Sequence, residues 1–129
     1  MKYVSFEEIL AIHYRILRET NGILTIRDLT LLQSAVGRPR ASFGGEEFYK
    51  TVWLKAAALM HSLILNHPFV DGNKRTAFAA IIYFLKINGL KFQADKKIIV
   101  NFVLGVEKKK HGLEEIAVWL KKHSEKVYE

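Results

Sequence analysis

A run rich in polar residues, His67-Pro68-Phe69-Val70-Asp71-Gly72-Asn73-Lys74-Arg75, separates two of the most apolar stretches of the chain. A glycine just before a helix leaves the first backbone N–H groups of that helix without partners, and the helix dipole adds partial positive charge there. Lys74 and Arg75 would lie in the first helical turn, where cations oppose the dipole but favour phosphate. The spacing therefore predicts an anion site at this junction.

Two other side chains of this run have the chemistry that group transfer needs. Asp71 could hold Mg²⁺ together with phosphate oxygens, because one carboxylate plus substrate is the usual protein arrangement for that ion. His67 is the candidate general base, because an imidazole can take a proton from an incoming hydroxyl near neutral pH. Singly, such residues often have only a structural role in a turn, and Phe69 is predicted to plug the core. Together they favour a catalytic site.

The elements that must position this run are predicted to be helices. Residues 51–66 and about 73–88 are apolar on nearly every side, which is typical of buried helices, so they should form a central pair. No alternation typical of a strand runs for a useful length in the sequence. We therefore predict an all-α domain, a compact bundle of about six helices with a central buried helix pair and a small flap or hairpin.

The other helices have recognisable starts. Ser5 and Glu8 have the spacing of a capping box for a first helix, and Thr25 can cap a second one. Asp95 can cap a fifth helix, and a sixth is predicted over residues 113–126. These signals place helices on both sides of the central pair.

The flap is predicted at residues 38–49, which lack a helical period and contain a glycine pair. Its strand edge could receive an extended segment of a protein target and bring a hydroxyl beside His67. A second short extended piece is expected at residues 90–94.

The composition limits the class of protein. The chain has 129 residues, half of them apolar, which suits one globular domain over residues 1–129. Because there is no cysteine, thiol nucleophiles, cysteine-ligated zinc and disulfides are excluded. Two acids lie near the start, and no apolar run reaches the roughly 18 residues of a membrane span. We therefore predict no signal peptide, no membrane contact and a cytoplasmic location.

The charge balance is strongly basic, with 20 lysines and arginines against 13 acids and a net charge of +7. Phosphate, nucleic acid or an acidic protein surface are therefore plausible partners. Much of the excess lies at residues 96–97, 108–110 and 121–122, where lysines on polar helix faces aid solubility. No recognition-helix pattern accompanies these lysines in the sequence, so we expect no direct specific nucleic-acid binding.

The run 67–75 resembles the Fic signature HxFx(D/E)GN(G/K)R at every position. The resemblance implies an all-helical Fic fold with this run and the helix after it at the centre. It also implies transfer of AMP from ATP to a target hydroxyl, the activity of most family members. In that reaction the motif histidine, here His67, acts as the base, and Asp71 binds Mg²⁺. The residues implied to bind nucleotide phosphates are Gly72, Asn73, Lys74 and Arg75.

Three features are similar to the Doc branch of the family, the toxins of Phd–Doc toxin–antitoxin modules: Lys74 at the (G/K) position, the short chain and the upstream string RPRASFGGEEFY. That branch implies a phosphotransferase that moves the γ-phosphate of ATP to elongation factor Tu and blocks translation. The nearest match to the family's inhibitory pattern, (S/T)xxxE(G/N), falls in the predicted flap. Restraint is therefore expected from a cognate antitoxin protein.

Two alternatives stay open from the sequence. The first is a protein adenylyltransferase, although adenylylating members usually have a second arginine where this chain has Phe78. The second is a non-catalytic basic module that binds a nucleic acid or a partner protein. Label from the α- or γ-phosphate of ATP separates the two transferases, and a steep salt dependence of DNA binding would indicate the module.

Overall fold

The computed structural model describes residues 1–127 as six α-helices, a 3₁₀ turn at Arg38–Arg40 and two small two-stranded sheets. The helices are α1 Phe6–Glu19, α2 Leu29–Gly37, α3 Val52–Leu65, α4 Asn73–Ile87, α5 Lys96–Glu107 and α6 Leu113–Lys122. The strands are β1 Ser42–Phe43, β2 Glu46–Glu47, β3 Leu90–Phe92 and β4 Ser124–Lys126. The predicted all-α bundle of about six helices is confirmed. Across this described part, no helix combines the length and apolar character that crossing a membrane needs.

Helices α3 and α4 form the central pair, as predicted. Helix α3 packs against both α4 and α6. Three successive alanines of α3 are fully buried, Ala56, Ala57 and Ala58, as are Ala77 and Ala80 on α4. Small side chains let helix backbones approach closely. The loop that joins the two helices is therefore held at both ends by the core.

The first helix begins as its sequence predicts. The Ser5 hydroxyl accepts a hydrogen bond from the Glu8 N–H at 3.1 Å, and the Glu8 carboxylate accepts one from the Ser5 N–H at 2.9 Å. The same carboxylate accepts a hydrogen bond from the Tyr83 hydroxyl on α4. With Ile9 and Leu17 fully buried, α1 is fixed against α4, and its inner face lies beneath the loop that precedes α4.

The second helix begins at a different cap from the predicted one. Thr25 does not cap it; Asp28 does, and its carboxylate accepts a first-turn N–H at 3.0 Å. The reason is a tertiary contact. The Thr25 carbonyl accepts a hydrogen bond from the Val70 N–H at 3.0 Å, and Ile26 forms an antiparallel bridge with Phe69. The chain therefore stays extended beside the loop before α4 until the helix starts.

The predicted flap is a hairpin that follows the 3₁₀ turn. Strands β1 and β2 pair antiparallel with Ser42 opposite Glu47. Gly44 and Gly45 make the turn with φ values of 59° and 83°, which glycine adopts without strain and which two-residue hairpins favour. The Phe43 side chain is exposed, so the hairpin projects from the bundle into solvent.

The last elements differ from the prediction of a helix over residues 113–126. Helix α6 ends at Lys122, and β4 pairs antiparallel with β3. The prediction missed β4 because three residues are too few to show a period of two, and the partner strand is distant in the chain. The extended piece predicted at residues 90–94 is confirmed as β3. Asp95 occupies the predicted cap position of α5, although its side chain makes no capping hydrogen bond.

Candidate active site

The loop between α3 and α4 turns at two positions with positive φ. His67 follows the last turn of α3 and has a φ of 46°, and Gly72, the N-cap of α4, has a φ of 77°. A left-handed residue other than glycine is uncommon, so the surrounding structure must hold His67 in this conformation. A side chain at Gly72 would collide with the buried Leu17 of α1. The predicted turn before α4 is confirmed, and it leaves His67 exposed.

An aromatic contact with α1 supports the loop. Phe69 is only 1% exposed, as expected of a core plug, and its ring stacks on the His13 imidazole with centroids 3.7 Å apart. His13 Nε2 also donates a hydrogen bond to the Asp71 carbonyl at 2.9 Å. Burial lowers the pKa of His13, which favours the neutral imidazole. His13 was not among the residues predicted for the site, because 58 positions separate it from Asp71.

Asn73 ties the loop to the start of α4. Its Oδ1 accepts a hydrogen bond from the Phe69 N–H at 3.0 Å, and its Nδ2 donates one to the Phe69 carbonyl at 2.8 Å. Gly72 has no side chain with which to cap the helix, so the first N–H groups of α4 have no capping partner. The Asn73 amide is therefore engaged inside the loop. What this turn offers to an anion is its backbone N–H groups.

A second support comes from the extended residues before α2. The Arg27 guanidinium donates to the His67 carbonyl at 2.6 Å and to the Asn66 carbonyl at 2.7 Å. The Arg27 N–H donates to the Pro68 carbonyl at 2.7 Å. These bonds satisfy carbonyls after α3 and fix His67 in its left-handed conformation. No local pattern could have shown this role, because Arg27 and His67 lie 40 positions apart.

Three of the side chains predicted for the site, those of His67, Asp71 and Arg75, project from this scaffold. Within residues 1–127, neither the His67 imidazole nor the Asp71 carboxylate makes a hydrogen bond or an ion pair. The Asp71 carboxylate lies close to Gly22, which follows α1. Arg75 is exposed and donates one long hydrogen bond, 3.4 Å, to the Thr20 hydroxyl. The loop thus presents a base, an acid and a cation with their polar atoms available.

Lys74 differs from these side chains because it already has a partner. Its Nζ donates to Oε2 of Glu107, the last residue of α5, at 2.9 Å. This hydrogen bond and the positive charge of Lys74 lower the pKa of the Glu107 carboxyl. Glu107 is therefore a second carboxylate at the site. The sequence did not indicate it, because it belongs to a different helix.

An apolar cavity of about 490 Å³ opens beside the first turn of α4. Lys74, Arg75 and Phe78 line it from α4, and Val100 and Val103 line it from α5. Lys96 lines it as a third cation. An apolar surface next to three cations suits a ligand that combines a flat ring with anionic groups.

The residues of the loop fit a magnesium ion held jointly with phosphate oxygens. Asp71 supplies one partly exposed carboxylate. In the part of the chain that the structure describes, no three His, Asp or Glu side chains are grouped closely enough to hold a metal by themselves. Mg²⁺ is commonly bound by one or two carboxylates plus waters and phosphates, so a single carboxylate beside a phosphate site is sufficient for it.

Comparison with known families agrees with this geometry. A model of the Fic/DOC family matches residues 3–85, the part of the chain that includes α1, α2, the hairpin, α3 and most of α4. This chain belongs to the Fic/DOC family. The resemblance of the run 67–75 to the Fic signature is thereby confirmed, whereas Glu107 and the α5 side of the cavity lie outside the matched residues of this Fic/DOC chain.

Two relatives are similar to the Fic/DOC chain described here. The protein named Toxin Doc from Mycolicibacterium smegmatis is 54% identical over 74 residues, which make up 57% of this chain and 57% of that one. The protein named Protein kinase doc from Escherichia phage P1 is 30% identical over 91 residues, 70% of this chain and 71% of that one. The match therefore spans less than two thirds of the mycobacterial relative. Both names agree with the predicted Doc branch of the family.

Proposed function

We propose that this chain is a Doc-type toxin that transfers the γ-phosphate of ATP to a hydroxyl of a protein, with elongation factor Tu as the expected target. The observation that carries the proposal is the exposed His67 imidazole together with the Asp71 carboxylate, which has no partner among residues 1–127, in a loop that ends where α4 starts without a side-chain cap. The relative from phage P1 is named a protein kinase, which supports phosphate as the group transferred.

His67 is the proposed general base. The target hydroxyl oxygen attacks the γ-phosphorus as the bond from that phosphorus to the bridging oxygen breaks, and ADP leaves. The hydroxyl proton passes to the free imidazole nitrogen of His67. Because Arg27 binds the His67 carbonyl and Phe69 anchors the following residues in the core, the imidazole is presented from a fixed backbone.

Lys74, Arg75 and the first N–H groups of α4 are the proposed ligands of the nucleotide phosphates and of the charge that develops during transfer. The Lys74 ammonium has three donors, of which the hydrogen bond to Glu107 uses one. Asp71 would hold Mg²⁺, which supplies positive charge at the phosphates when it is bound. We place the nucleoside in the apolar cavity beside Phe78.

AMP transfer is the alternative, and it would use the same loop with the α-phosphorus at the reacting position. Phe78 stands where adenylylating members of the family usually have a second arginine. Its ring lines the apolar cavity and contacts Phe92 edge-on, with centroids 5.5 Å apart. An apolar ring at this position supports phosphotransfer over AMP transfer.

The proposal includes a partner and a location. The name of the mycobacterial relative, Toxin Doc, supports a cognate antitoxin that restrains this protein. We further propose that the whole chain, residues 1–129, is one Fic/Doc domain and that it acts in the cytoplasm, where elongation factor Tu is found.

The test follows label from ATP onto protein. The parent, His67→Ala and His111→Ala are each incubated with Mg²⁺, elongation factor Tu and ATP labelled at the α- or the γ-phosphate. His111→Ala is the matched control, because that histidine pairs with Glu115 on α6 and not with the loop. We expect γ-label on the target from the parent and the control, and at least about 100-fold less from His67→Ala.

Other outcomes decide against this proposal. Transfer of α-label would make the protein an adenylyltransferase. If neither label moves and DNA binding falls steeply with salt, the non-catalytic basic module is favoured instead.

A further inference from the structure

Glu107 places a carboxylate against the first turn of α4, where the proposed function requires a phosphate. Its Oε2 lies 2.9 Å from Lys74 Nζ, and the Lys74 and Glu107 side chains are 41% and 28% exposed. Lys74 lies in the first turn of α4 and Glu107 is the last residue of α5, so two separate helices fix the pair. The Glu107 carboxylate is thus paired with the Lys74 ammonium, a cation that a substrate phosphate would bind.

Packing alone does not explain this pair. An ion pair with this much exposure contributes little to stability, because water screens it and two long side chains lose freedom. Helix α5 is already attached to the core through Val103 and Val106, both buried. The ion pair is therefore better explained by the charge that it sets at the site than by the attachment of α5.

Charged side chains of both signs meet at this turn. Lys74 and Arg75 supply two positive charges, with Lys96 on the cavity wall and Lys108 next to Glu107, and Asp71 and Glu107 supply two negative charges. A free nucleotide polyanion that approaches the N–H groups of α4 meets both carboxylates, and it competes with Glu107 for the Lys74 ammonium. The magnesium complex of the same nucleotide carries less negative charge, so the carboxylates repel it less.

We propose that Glu107 is a specificity-determining residue that competes with the nucleotide for Lys74, so that the site selects the magnesium complex of the nucleotide over the free anion. This inference rests on the proposed function, because it concerns the same nucleotide site. When the free anion binds, Lys74 exchanges the Glu107 carboxylate for a phosphate oxygen, whereas beside the less negative magnesium complex it can keep Glu107 and bind phosphate with another of its three donors. After that exchange, the Glu107 carboxylate, already partly exposed, turns to water.

The test measures ATP binding by calorimetry, in magnesium and in EDTA, for the parent, Glu107→Gln and Glu115→Gln. Glu115→Gln is the matched control, because it removes the same charge from a carboxylate that pairs with His111 at 3.1 Å on α6. We expect Glu107→Gln to bind magnesium-free ATP about five-fold or more tightly than the parent, with about two-fold change or less for the magnesium complex. The control should stay within about two-fold of the parent in both buffers.

The same substitution of Glu107, made in the Lys74→Met variant, tests whether Glu107 acts through Lys74. In Lys74→Met, the further change Glu107→Gln should raise the affinity for magnesium-free ATP by a smaller factor than it does in the parent, because only the direct repulsion by the carboxylate is then left to remove. An effect of equal size in both backgrounds would overturn the competition for Lys74. The inference is also overturned if the parent binds the magnesium complex but Glu107→Gln gains nothing for the free anion.

Tripolyphosphate separates failure of this inference from failure of the proposed function. If the parent binds no ATP in either buffer, but Glu107→Gln binds tripolyphosphate more tightly than the parent does, the proposed function fails and the role of Glu107 stands. If no variant binds tripolyphosphate, both fail.

Discussion

His13 lies face to face with Phe69, with ring centroids 3.7 Å apart and planes 8° apart. The same imidazole donates to the Asp71 backbone carbonyl, so one side chain of α1 supports both the buried plug of the loop and the backbone of the residue proposed to bind magnesium. The geometry of the candidate site therefore depends on a helix that contributes none of the proposed catalytic groups.

Replacing His13 tests this dependence. His13→Ala leaves a cavity beneath Phe69 and a carbonyl without its donor, so we expect a loss of about 2–3 kcal/mol in the free energy of unfolding. Phosphotransfer should fall as well, because Asp71 loses its support. Urea unfolding and the γ-label assay measure the two effects. The control is Tyr14→Ala, an exposed neighbour on α1, and equal behaviour of the two variants would contradict the role of His13.

The protonation of two histidines, His13 and His61, should determine how stability depends on pH near neutrality. Burial lowers the pKa of His13 and of His61 from the ordinary value of 6.5, and the charge of Arg38 adds to the effect at His61. The unfolded chain therefore binds more protons than the folded one just below that value. Stability that is fully present above pH 6.5 is then lost as the pH falls through the window between the unfolded and folded pKa values.

Urea unfolding between about pH 7.5 and about pH 5.5 measures this loss. We expect up to about 1.4 kcal/mol for each pH unit and each histidine inside the window. His61→Gln should reduce the slope, because it removes one of the two groups. A free energy of unfolding that does not change over this pH range would contradict the lowered pKa of His13 and His61. Three carboxylates with a lowered pKa add their own loss only below about pH 4.5: Glu8, Glu107 and Glu115.

The base of the hairpin is closed by a buried cation. Lys55 of α3 is 2% exposed, and its Nζ donates to Glu47 of β2 at 2.9 Å and to the Pro39 carbonyl at 3.3 Å. Glu47→Ala leaves the ammonium buried without its counter-ion, so we expect a loss of about 1–3 kcal/mol. Lys55→Met replaces the charge by an apolar side chain of similar size and should cost less than about 1 kcal/mol.

Hydrogen exchange and urea unfolding check both variants of the hairpin. In Lys55→Met the exchange of the Phe48 amide, which donates to the Ala41 carbonyl, should accelerate while the core of α3 stays protected. Glu46→Ala is the control, since it removes only an exposed pair with Lys50 and should change stability by less than about 0.5 kcal/mol. If Glu47→Ala lowers the free energy of unfolding by no more than Glu46→Ala does, the buried Lys55 ammonium does not depend on the Glu47 carboxylate for stability.

Filling the apolar cavity should weaken nucleotide binding. Val100 lines the cavity from α5 and is exposed, so Val100→Trp can place its ring in the cavity without disturbing the core. We expect the Kd for ATP to rise about ten-fold while the free energy of unfolding changes by less than about 1 kcal/mol. Calorimetry and urea unfolding measure the two. Val118→Trp, on an exposed position of α6, should leave the Kd unchanged, and an unchanged Kd in Val100→Trp would move the nucleoside out of this cavity.

Local signals predicted most of the fold, and long-range contacts explain what they missed. The capping box of Ser5 and Glu8 lies within one turn, so the sequence shows it directly. Thr25 was the wrong cap because its carbonyl is bound by the loop before α4, a contact that no nearby residue signals. Strand β4 was missed for the same reason, since its partner β3 lies on the other side of two helices in the sequence.

The candidate site divides in the same way. The residues from His67 to Arg75 were predicted because they form one continuous run whose residue types suit the proposed chemistry. His13, Arg27 and Glu107 could not be predicted, because each comes from a different element and reaches the loop only in the folded chain. The sequence pattern thus contains the proposed reactive groups. The residues that hold the loop in place and the carboxylate that pairs with Lys74 are found only in the folded structure.

The two hydrogen bonds between the Asn73 side chain and the Phe69 backbone close within the loop itself. A segment restrained in this way gives up its conformational entropy once, when the chain folds, and not at every encounter with a ligand. A flexible loop would have to be ordered at each binding event, and the entropy cost of that ordering would lower its affinity for the ligand. Successive catalytic cycles would therefore start from one preorganised template, on which only the nucleotide and the incoming protein segment still lose freedom.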